Sequence, residues 1–165
     1  MIDSKNLIYN FNNHRLYYDS DQFLADALNK FISLTISAIE LDFNYSTGVL
    51  ISVTGFQPLV KATVGKLNIP HCKDENFIIS MNEIRYQRGI AYDYFDFFPL
   101  SREYFMVDAY NPKLIYDENN KRILIGSADI NDEYIKINKN IICGLDKKGN
   151  LKSILILVDV IIKAN

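Results

Sequence analysis

The chain has 165 residues, 48% of them hydrophobic, which is enough for a single domain (1–165) with a substantial core. With a formal net charge of −2, the chain lacks the excess of basic residues that general nucleic-acid-binding proteins show. The N-terminus has no apolar h-region of a secretory signal, and the longest unbroken apolar run, 154–158, is far too short to cross a bilayer. We therefore expect a cytoplasmic protein with no membrane partner.

The first predicted element is an amphipathic helix over residues 19–32, DSDQFLADALNKFI. Its apolar positions fall on one stripe of a 3.6-residue period: Phe23, Leu24, Ala27, Leu28, Phe31 and Ile32. Asp19 suits the N-cap, and Gln22 completes a capping box. The pattern predicts a helix that packs on a sheet, and its polar face suggests no chemistry.

The next segment predicts a β-hairpin. Residues 34–43, LTISAIELDF, alternate as a strand does, NYSTG supplies turn residues, and 49–56 alternate again. Glu40 and Asp42 share one face of the first strand, because side chains point the same way at every second residue. Such a pair fits a metal or acid–base site, but a solvated face of an antiparallel sheet is the simpler interpretation.

Residues 61–75 are predicted to connect this hairpin to the second half of the chain. His71 and Cys72 lie there beside Asp74 and Glu75, and all four side chains are possible metal ligands. The chain has only two histidines and two cysteines, however, without CxxC or HxxxH spacing. We expect no metal, no cofactor and no disulfide framework.

The second half is a succession of short β-like runs separated by turn formers. The runs are FIISMNEI, EYFMVDAY, KLIYD, RILIG, YIKI, NIICGLD and LKSILILVDVII. Two hairpins are explicit, KLIYD–ENNK–RILIG and IICGL–DKKGN–LKSIL. This spacing predicts an α+β fold, mostly an antiparallel meander that forms a curled sheet or a sandwich, with the one N-terminal helix. The last run, 151–162, is apolar on both faces, as in a central strand, and Asp159 interrupts it near its end.

Aromatic and acidic residues are concentrated in the middle of the chain. Residues 92–105, YDYFDFFPLSREYF, hold seven aromatic rings and three carboxylates. Residues 89–135 hold nine acidic and four basic side chains, whereas 136–165 carry a net charge of +4. One interpretation places the phenylalanines in the core and the tyrosines at its border.

The same composition also fits a surface that binds a basic protein. Opposite charges speed the encounter of two proteins, and tyrosine offers a large contact area with few rotatable bonds. The predicted partner-binding residues are Tyr92, Asp93, Tyr94, Asp96, Glu103, Asp117, Glu118, Asp129, Asp132 and Glu133.

Three segments resemble a group of bacterial immunity proteins of contact-dependent growth inhibition and related polymorphic toxin systems. They are TGVLISVTGFQP (47–58), PKLIYDENNKRILIG (112–126) and NKNIICGLDKKGNLKSILILVD (138–159). The chain departs from the expected pattern in its last strand, where Leu155 stands in place of a tryptophan. The resemblance implies a cytosolic, non-enzymatic protein that binds and neutralises the C-terminal domain of one cognate toxin, commonly a nuclease, without touching nucleic acid itself. A nuclease must bind phosphates and is basic at its active site, so an acidic face can occupy that site.

Two other functions fit the sequence. A small β-rich enzyme or ligand-binding protein would use paired carboxylates, Glu40 with Asp42 or Asp93 with Asp96, in a recessed site with shifted pKa values. The chain contains no P-loop, GxGxxG, GxSxG or HExxH motif to support it. An assembly subunit would pair through the strand 151–162, if that strand lies at the edge of a sheet.

Overall fold

The computed structural model describes residues 5–18, 31–36, 38–44, 47, 50–72, 91–93, 113–148 and 151–164. For 31–36 and 91–93 the description covers the backbone. The described strands are β1 (Leu7–Asn10), β2 (Arg15–Tyr18), β3 (Phe31–Ile36), β4 (Ile39–Asn44), β5 (Leu50–Phe56), β6 (Thr63–Val64), β7 (Ala91–Asp93), β8 (Leu114–Asp117), β9 (Arg122–Gly126), β10 (Glu133–Lys136), β11 (Ile141–Leu145), β12 (Leu151–Leu157) and β13 (Val160–Ile162). A 3-10 turn, Leu59–Lys61, precedes β6. None of the described residues forms a helix with the length and apolar character that a membrane span requires.

The strands form two sheets. Sheet A has the order β13-β1-β2-β5-β4-β3-β7, and sheet B has the order β10-β11-β12-β9-β8-β6. Most neighbours are antiparallel, as predicted, but β1 with β13, β3 with β7 and β6 with β8 are parallel pairs. Both explicit hairpins of the second half, β8–β9 and β11–β12, are confirmed.

The predicted helix is wrong at its C-terminal end. Phe31 and Ile32, the last two residues of its apolar stripe, begin strand β3, and residues 19–30 lie outside the described residues. The predicted strand 34–43 is also wrong as one element, because the chain reverses between Ile36 and Ile39, which pair with each other. The predicted pairing of its second part with 49–56 is confirmed as β4 with β5.

The predicted final strand 151–162 is two strands. β12 lies between β11 and β9 in sheet B, which confirms that it is central. At Asp159 the chain leaves sheet B, and β13 then joins the edge of sheet A beside β1. The Asp159 carboxylate fixes this crossing, because it accepts hydrogen bonds from Leu7 N–H (2.8 Å) and Asn140 Nδ2 (3.0 Å).

The core lies between the two sheets and follows from strand alternation. In sheet A, Ile39, Leu41 and Phe43 of β4 point into it, and in sheet B so do Ile123 and Ile125 of β9. The intervening Leu124 points to the opposite face of sheet B. There it forms a second apolar cluster with Ile142, Leu155 and Leu67. Residues 65–72, which carry Leu67, therefore cover the outer face of sheet B.

The two sheets are built from a repeated unit. Repeat 1 (residues 7–64) and repeat 2 (residues 114–162) each run through a hairpin, a second hairpin and a long central strand. The sheet orders β13-β1-β2-β5-β4-β3 and β6-β8-β9-β12-β11-β10 have the same strand directions throughout. Even the register shift recurs, between Asp42 and Phe43 in one repeat and between Gly144 and Leu145 in the other.

Hydrogen bonds at the first turn of each repeat match as well. His14 and Lys121, the last residues of the two four-residue turns, both have a positive φ, 57° and 53°. Each carbonyl accepts a backbone hydrogen bond from the residue that follows the central strand, Gln57 in repeat 1 (2.8 Å) and Val158 in repeat 2 (2.9 Å). The repeats then exchange their last strands: β6 joins sheet B beside β8, and β13 joins sheet A beside β1.

Candidate functional site

The first predicted contact residues lie at an edge of sheet A. Tyr92 and Asp93 belong to β7, the last described strand of that sheet, which pairs in parallel with β3. Tyr94, Asp96 and Glu103 lie outside the described residues. The aromatic and acidic segment 92–105 therefore starts at the sheet edge farthest from β13.

Asp117 has a structural role. It is 3% exposed, and its carboxylate accepts hydrogen bonds from Leu67 N–H (2.8 Å) and from the backbone and side chain of Asn120 (3.1 and 2.9 Å). Arg122, the residue that faces Asp117 across the turn, donates to the Leu67 carbonyl. The two side chains thus hold both polar groups of residue 67 in place. Asp117 does not offer its carboxylate to a partner, contrary to the prediction.

Asp129, Asp132 and Glu133 lie together where the chain turns into β10. Asp129 and Glu133 are exposed, whereas the Asp132 side chain is only 6% exposed and lies 3.5 Å from Lys152 Nζ. Asp132 also accepts a hydrogen bond from Asp129 N–H (2.9 Å). Asp132 therefore stabilises the turn, whereas Asp129 and Glu133 are the exposed acidic residues of this group.

Glu118 lies at the opposite end of sheet B. It stands in the turn before β9, whereas Asp129 follows β9, and a five-residue strand spans about 15 Å. Its side chain is 65% exposed, with Lys163 Nζ at 4.0 Å. The predicted contact residues that the structure describes thus lie at two ends of sheet B and at one edge of sheet A, and the structure does not bring them together.

A cleft of about 540 Å³ lies beside Glu118. Phe11 and Tyr116 form an aromatic wall, with ring centroids 5.9 Å apart, and Lys121 and Lys163 stand at the cleft as well. Lys121 Nζ donates to the Asp159 carbonyl (2.9 Å), so part of its hydrogen-bonding capacity is used within the chain. The cleft combines an apolar wall with charges of both signs, which suits a small amphipathic molecule or a single side chain.

The titratable acids with resolved shifts are held ionised. Hydrogen bonds from Leu67 N–H and Asn120 lower the pKa of Asp117, and those from Asn131 lower the pKa of Asp129. Burial works against the charge on Asp159, but hydrogen bonds from Leu7 N–H and Asn140 outweigh it and lower its pKa. A carboxyl group with a lowered pKa is a poor general acid or base at neutral pH.

The shifted phenol and thiol groups are held neutral. Burial raises the pKa of Tyr9, Tyr116 and Tyr134, and raises that of the buried Cys143 thiol to about 12. A thiol with that pKa is not an activated nucleophile. Every resolved shift among the described residues thus moves a group away from titration near pH 7, which is the reverse of what acid–base catalysis uses.

The alternative sites are only partly described. Glu40 and Asp42 lie on the face of sheet A that points away from the core. Asp42 is only 6% exposed, so the interpretation of this face as solvated is wrong at Asp42. Asp96, the proposed partner of Asp93, lies outside the described residues. Within the described ranges, no three or more His, Cys, Asp and Glu side chains form a group that could hold a metal ion.

Sequence reasoning missed two features of the structure. The repeat is visible in the sequence, because LIYNFNNHR (7–15) and LIYDENNKR (114–122) agree at six of nine positions. The second feature is Ile130, which is 96% exposed in the turn between Asp129 and β10 and follows no apolar periodicity. No protein-family model matches the chain, and no curated protein matches it.

Proposed function

We propose that this chain is an immunity protein, which binds and neutralises the C-terminal domain of a cognate bacterial toxin. The position of β7 carries the proposal. Tyr92 and Asp93 lie in β7, the last described strand of sheet A, and these two residues begin the acidic, tyrosine-rich segment 92–105. The resemblance of three segments to immunity proteins supplies the class of partner.

The proposed contact surface consists of Tyr92, Asp93, Tyr94, Asp96 and Glu103. A basic toxin domain, such as a nuclease with a phosphate-binding site, is the partner that suits its charge. Asp117 and Asp132 are excluded because their carboxylates are engaged within the chain. Glu118 is excluded by distance, since it adjoins the cleft near β1, and five strand spacings separate β1 from β7, about 24 Å.

The titratable groups support binding rather than catalysis. The described carboxylates with resolved shifts are stabilised as anions, and the described phenols and thiol with resolved shifts as neutral groups. Groups that keep one protonation state near pH 7 are poor acid–base catalysts, and this favours a binding role for the described part of the chain.

The proposal predicts that a gene for a large secreted toxin lies beside this one, and the test is co-expression with the C-terminal domain of that toxin. We expect the chain to restore growth and to form an isolable complex. Asp93→Lys and Asp96→Lys should each weaken binding, chiefly through a slower association rate, and more at low than at high salt. Glu118→Lys is the matched control, because it makes the same charge change at an exposed site on the other side of the molecule.

Two results would count against the proposal. Growth that stays arrested in the presence of the intact chain removes the immunity function. Equal affinity of the Asp93→Lys, Asp96→Lys and Glu118→Lys variants, with the fold intact, removes the segment from the contact surface while leaving the function.

The cleft favours a second candidate, binding of a small molecule. Its 540 Å³ falls within the usual range for ligand pockets, and its aromatic wall of Phe11 and Tyr116 suits a flat apolar group. A fragment screen read by thermal shift would test it. A hit should lose its effect in Phe11→Ala, and the absence of any hit would exclude this candidate.

A further inference from the structure

The two repeats differ at one strand position. In sheet A, the sixth strand of the repeat order, β3, is covered by a seventh strand, β7, which comes from the segment between the repeats. In sheet B the equivalent strand, β10, is the last one in the described part of the chain. Its outer edge corresponds to the position that β7 occupies in sheet A.

The register shows which residues of β10 correspond to the β7-binding residues of β3. Thr35 pairs with Glu40, and Lys136 pairs with Ile142. Glu40 and Ile142 are equivalent, since each follows the isoleucine that begins its strand. The residues of β3 that pair with β7, numbers 33 to 35, therefore correspond to residues 134 to 136.

The backbone of β10 is oriented to accept another strand. Ile137 N–H donates to the Ile141 carbonyl (2.9 Å), so residue 137 bonds inward to its antiparallel neighbour. Inward and outward bonding alternate along an antiparallel strand. Residue 135 therefore also bonds inward, and Tyr134 and Lys136 direct their N–H and C=O groups outward, where an edge strand can pair with another chain.

We propose that β10 accepts an extended strand of the partner protein, added in parallel and paired with residues 134–136, so that the partner extends sheet B as β7 extends sheet A. This inference rests on the proposed function and names a second contact surface for it. Addition of a strand to a sheet edge is a recurrent way to bind an extended peptide, with affinity from main-chain hydrogen bonds.

The surroundings of β10 define the chemistry of that strand. In a parallel arrangement, the start of the added strand lies beside the start of β10, where Asp129 and Glu133 are exposed. Ile130, 96% exposed in the same turn, offers an apolar contact. The best partner is a strand that begins with a lysine or arginine and carries an apolar residue to pack beside Ile135, which lies on the core side of β10.

Lys136 provides a matched pair of variants. Lys136→Pro removes the outward N–H and the charge, and proline is tolerated in an edge strand where its nitrogen faces away from the neighbour. Lys136→Ala removes the charge and keeps the N–H. With the toxin domain of the co-expression test as the probe, we expect Lys136→Pro to raise the Kd at least tenfold and Lys136→Ala to raise it less than threefold.

A second measurement applies to the unaltered chain, whether or not Lys136→Pro folds. Hydrogen exchange of the amides of Tyr134 and Lys136 should slow by at least tenfold when the toxin domain binds. Unchanged exchange at both amides, or a Lys136→Pro variant that folds and binds like the unaltered chain, would overturn the inference. A dimer of this chain that Lys136→Pro dissociates would also overturn it, because the occupant of the edge would then be a second copy. Failure of the unaltered chain to bind the toxin domain would remove the proposed function itself.

Discussion

The two repeats of this chain have the same strand arrangement, but equivalent side chains have different roles in them. Their first hairpins have matching turns, with Asn10 opposite Arg15 in one and Asp117 opposite Arg122 in the other. In repeat 1, the Asn10 side chain accepts a hydrogen bond from within its own turn, at 2.9 Å from Asn12 N. In repeat 2, the same two positions bind the backbone of Leu67 and so hold residues 65–72 over sheet B. A strand register can thus be retained while its polar positions acquire a new role.

The shared core should make the two repeats unfold together. Leu16 and Ile123 occupy equivalent positions, and both are almost completely buried. Leu16→Ala and Ile123→Ala should each lower the free energy of unfolding by about 2–5 kcal/mol, because each leaves a cavity between the sheets. Urea unfolding followed by far-UV circular dichroism and by tyrosine fluorescence should give one transition with the same midpoint in both signals. Two separate transitions in either variant would show that the repeats are independent units.

The hydrogen bonds to the Leu67 backbone should make Asp117 contribute more to stability than its equivalent, Asn10. Asp117→Ala should lower the Tm well below that of Asn10→Ala, because it leaves the Leu67 N–H without its acceptor. The gap should also depend on pH. The folded-state pKa of Asp117 lies below its usual value, so its stabilising effect is complete above the unfolded pKa of about 4 and is lost as the pH falls through the lowered pKa.

Thermal unfolding of the unaltered chain and of Asp117→Asn between pH 7 and pH 2 would measure this effect. The difference in Tm should narrow in the acid range. A difference that stays constant with pH would mean that the ionised carboxylate does not hold residues 65–72 in place.

The smallest expected difference in the free energy of unfolding is between variants of two equivalent tyrosines, Tyr9 and Tyr116. The Tyr9 hydroxyl donates to the Gln57 carbonyl at 2.7 Å in a buried site, whereas the Tyr116 hydroxyl has no hydrogen bond to any described residue. Tyr9→Phe should lower the free energy of unfolding by about 1–2 kcal/mol, and Tyr116→Phe should change it by less than about 0.5 kcal/mol. Equilibrium denaturation would measure both, and equal effects would contradict the assigned hydrogen bonding.

The sequence predicts local pairing in this fold better than distant pairing. The hairpins β8–β9 and β11–β12 follow from alternation around a short turn, which a reader of the sequence can see. The helix prediction fails at Phe31 and Ile32 because an apolar stripe over a few residues also fits a strand, and β4 and β7 decide the outcome by pairing with β3. The parallel pairs depend on residues far apart in the chain, and no local pattern marks them.

The site was harder to predict for a related reason. Glu118 and Asp129 are close in the sequence, but an intervening strand carries them to opposite ends of sheet B. Asp117 is buried and the adjacent Glu118 is exposed, because strand β8 ends between them. Composition alone counts both as surface charge, whereas burial and hydrogen bonding separate them.

The exchange of last strands has a consequence for synthesis on the ribosome. The residues of β1 are synthesised early, but its outer neighbour β13 follows the Asp159 crossing, whose contact with Leu7 spans 152 positions of the chain. Until that segment leaves the exit tunnel, a nascent chain holds the edge of β1 without its native neighbour, and such an edge can pair with another polypeptide. We therefore expect slow translation of the second repeat to favour aggregation, and holding chaperones that shield the first repeat to favour a soluble product.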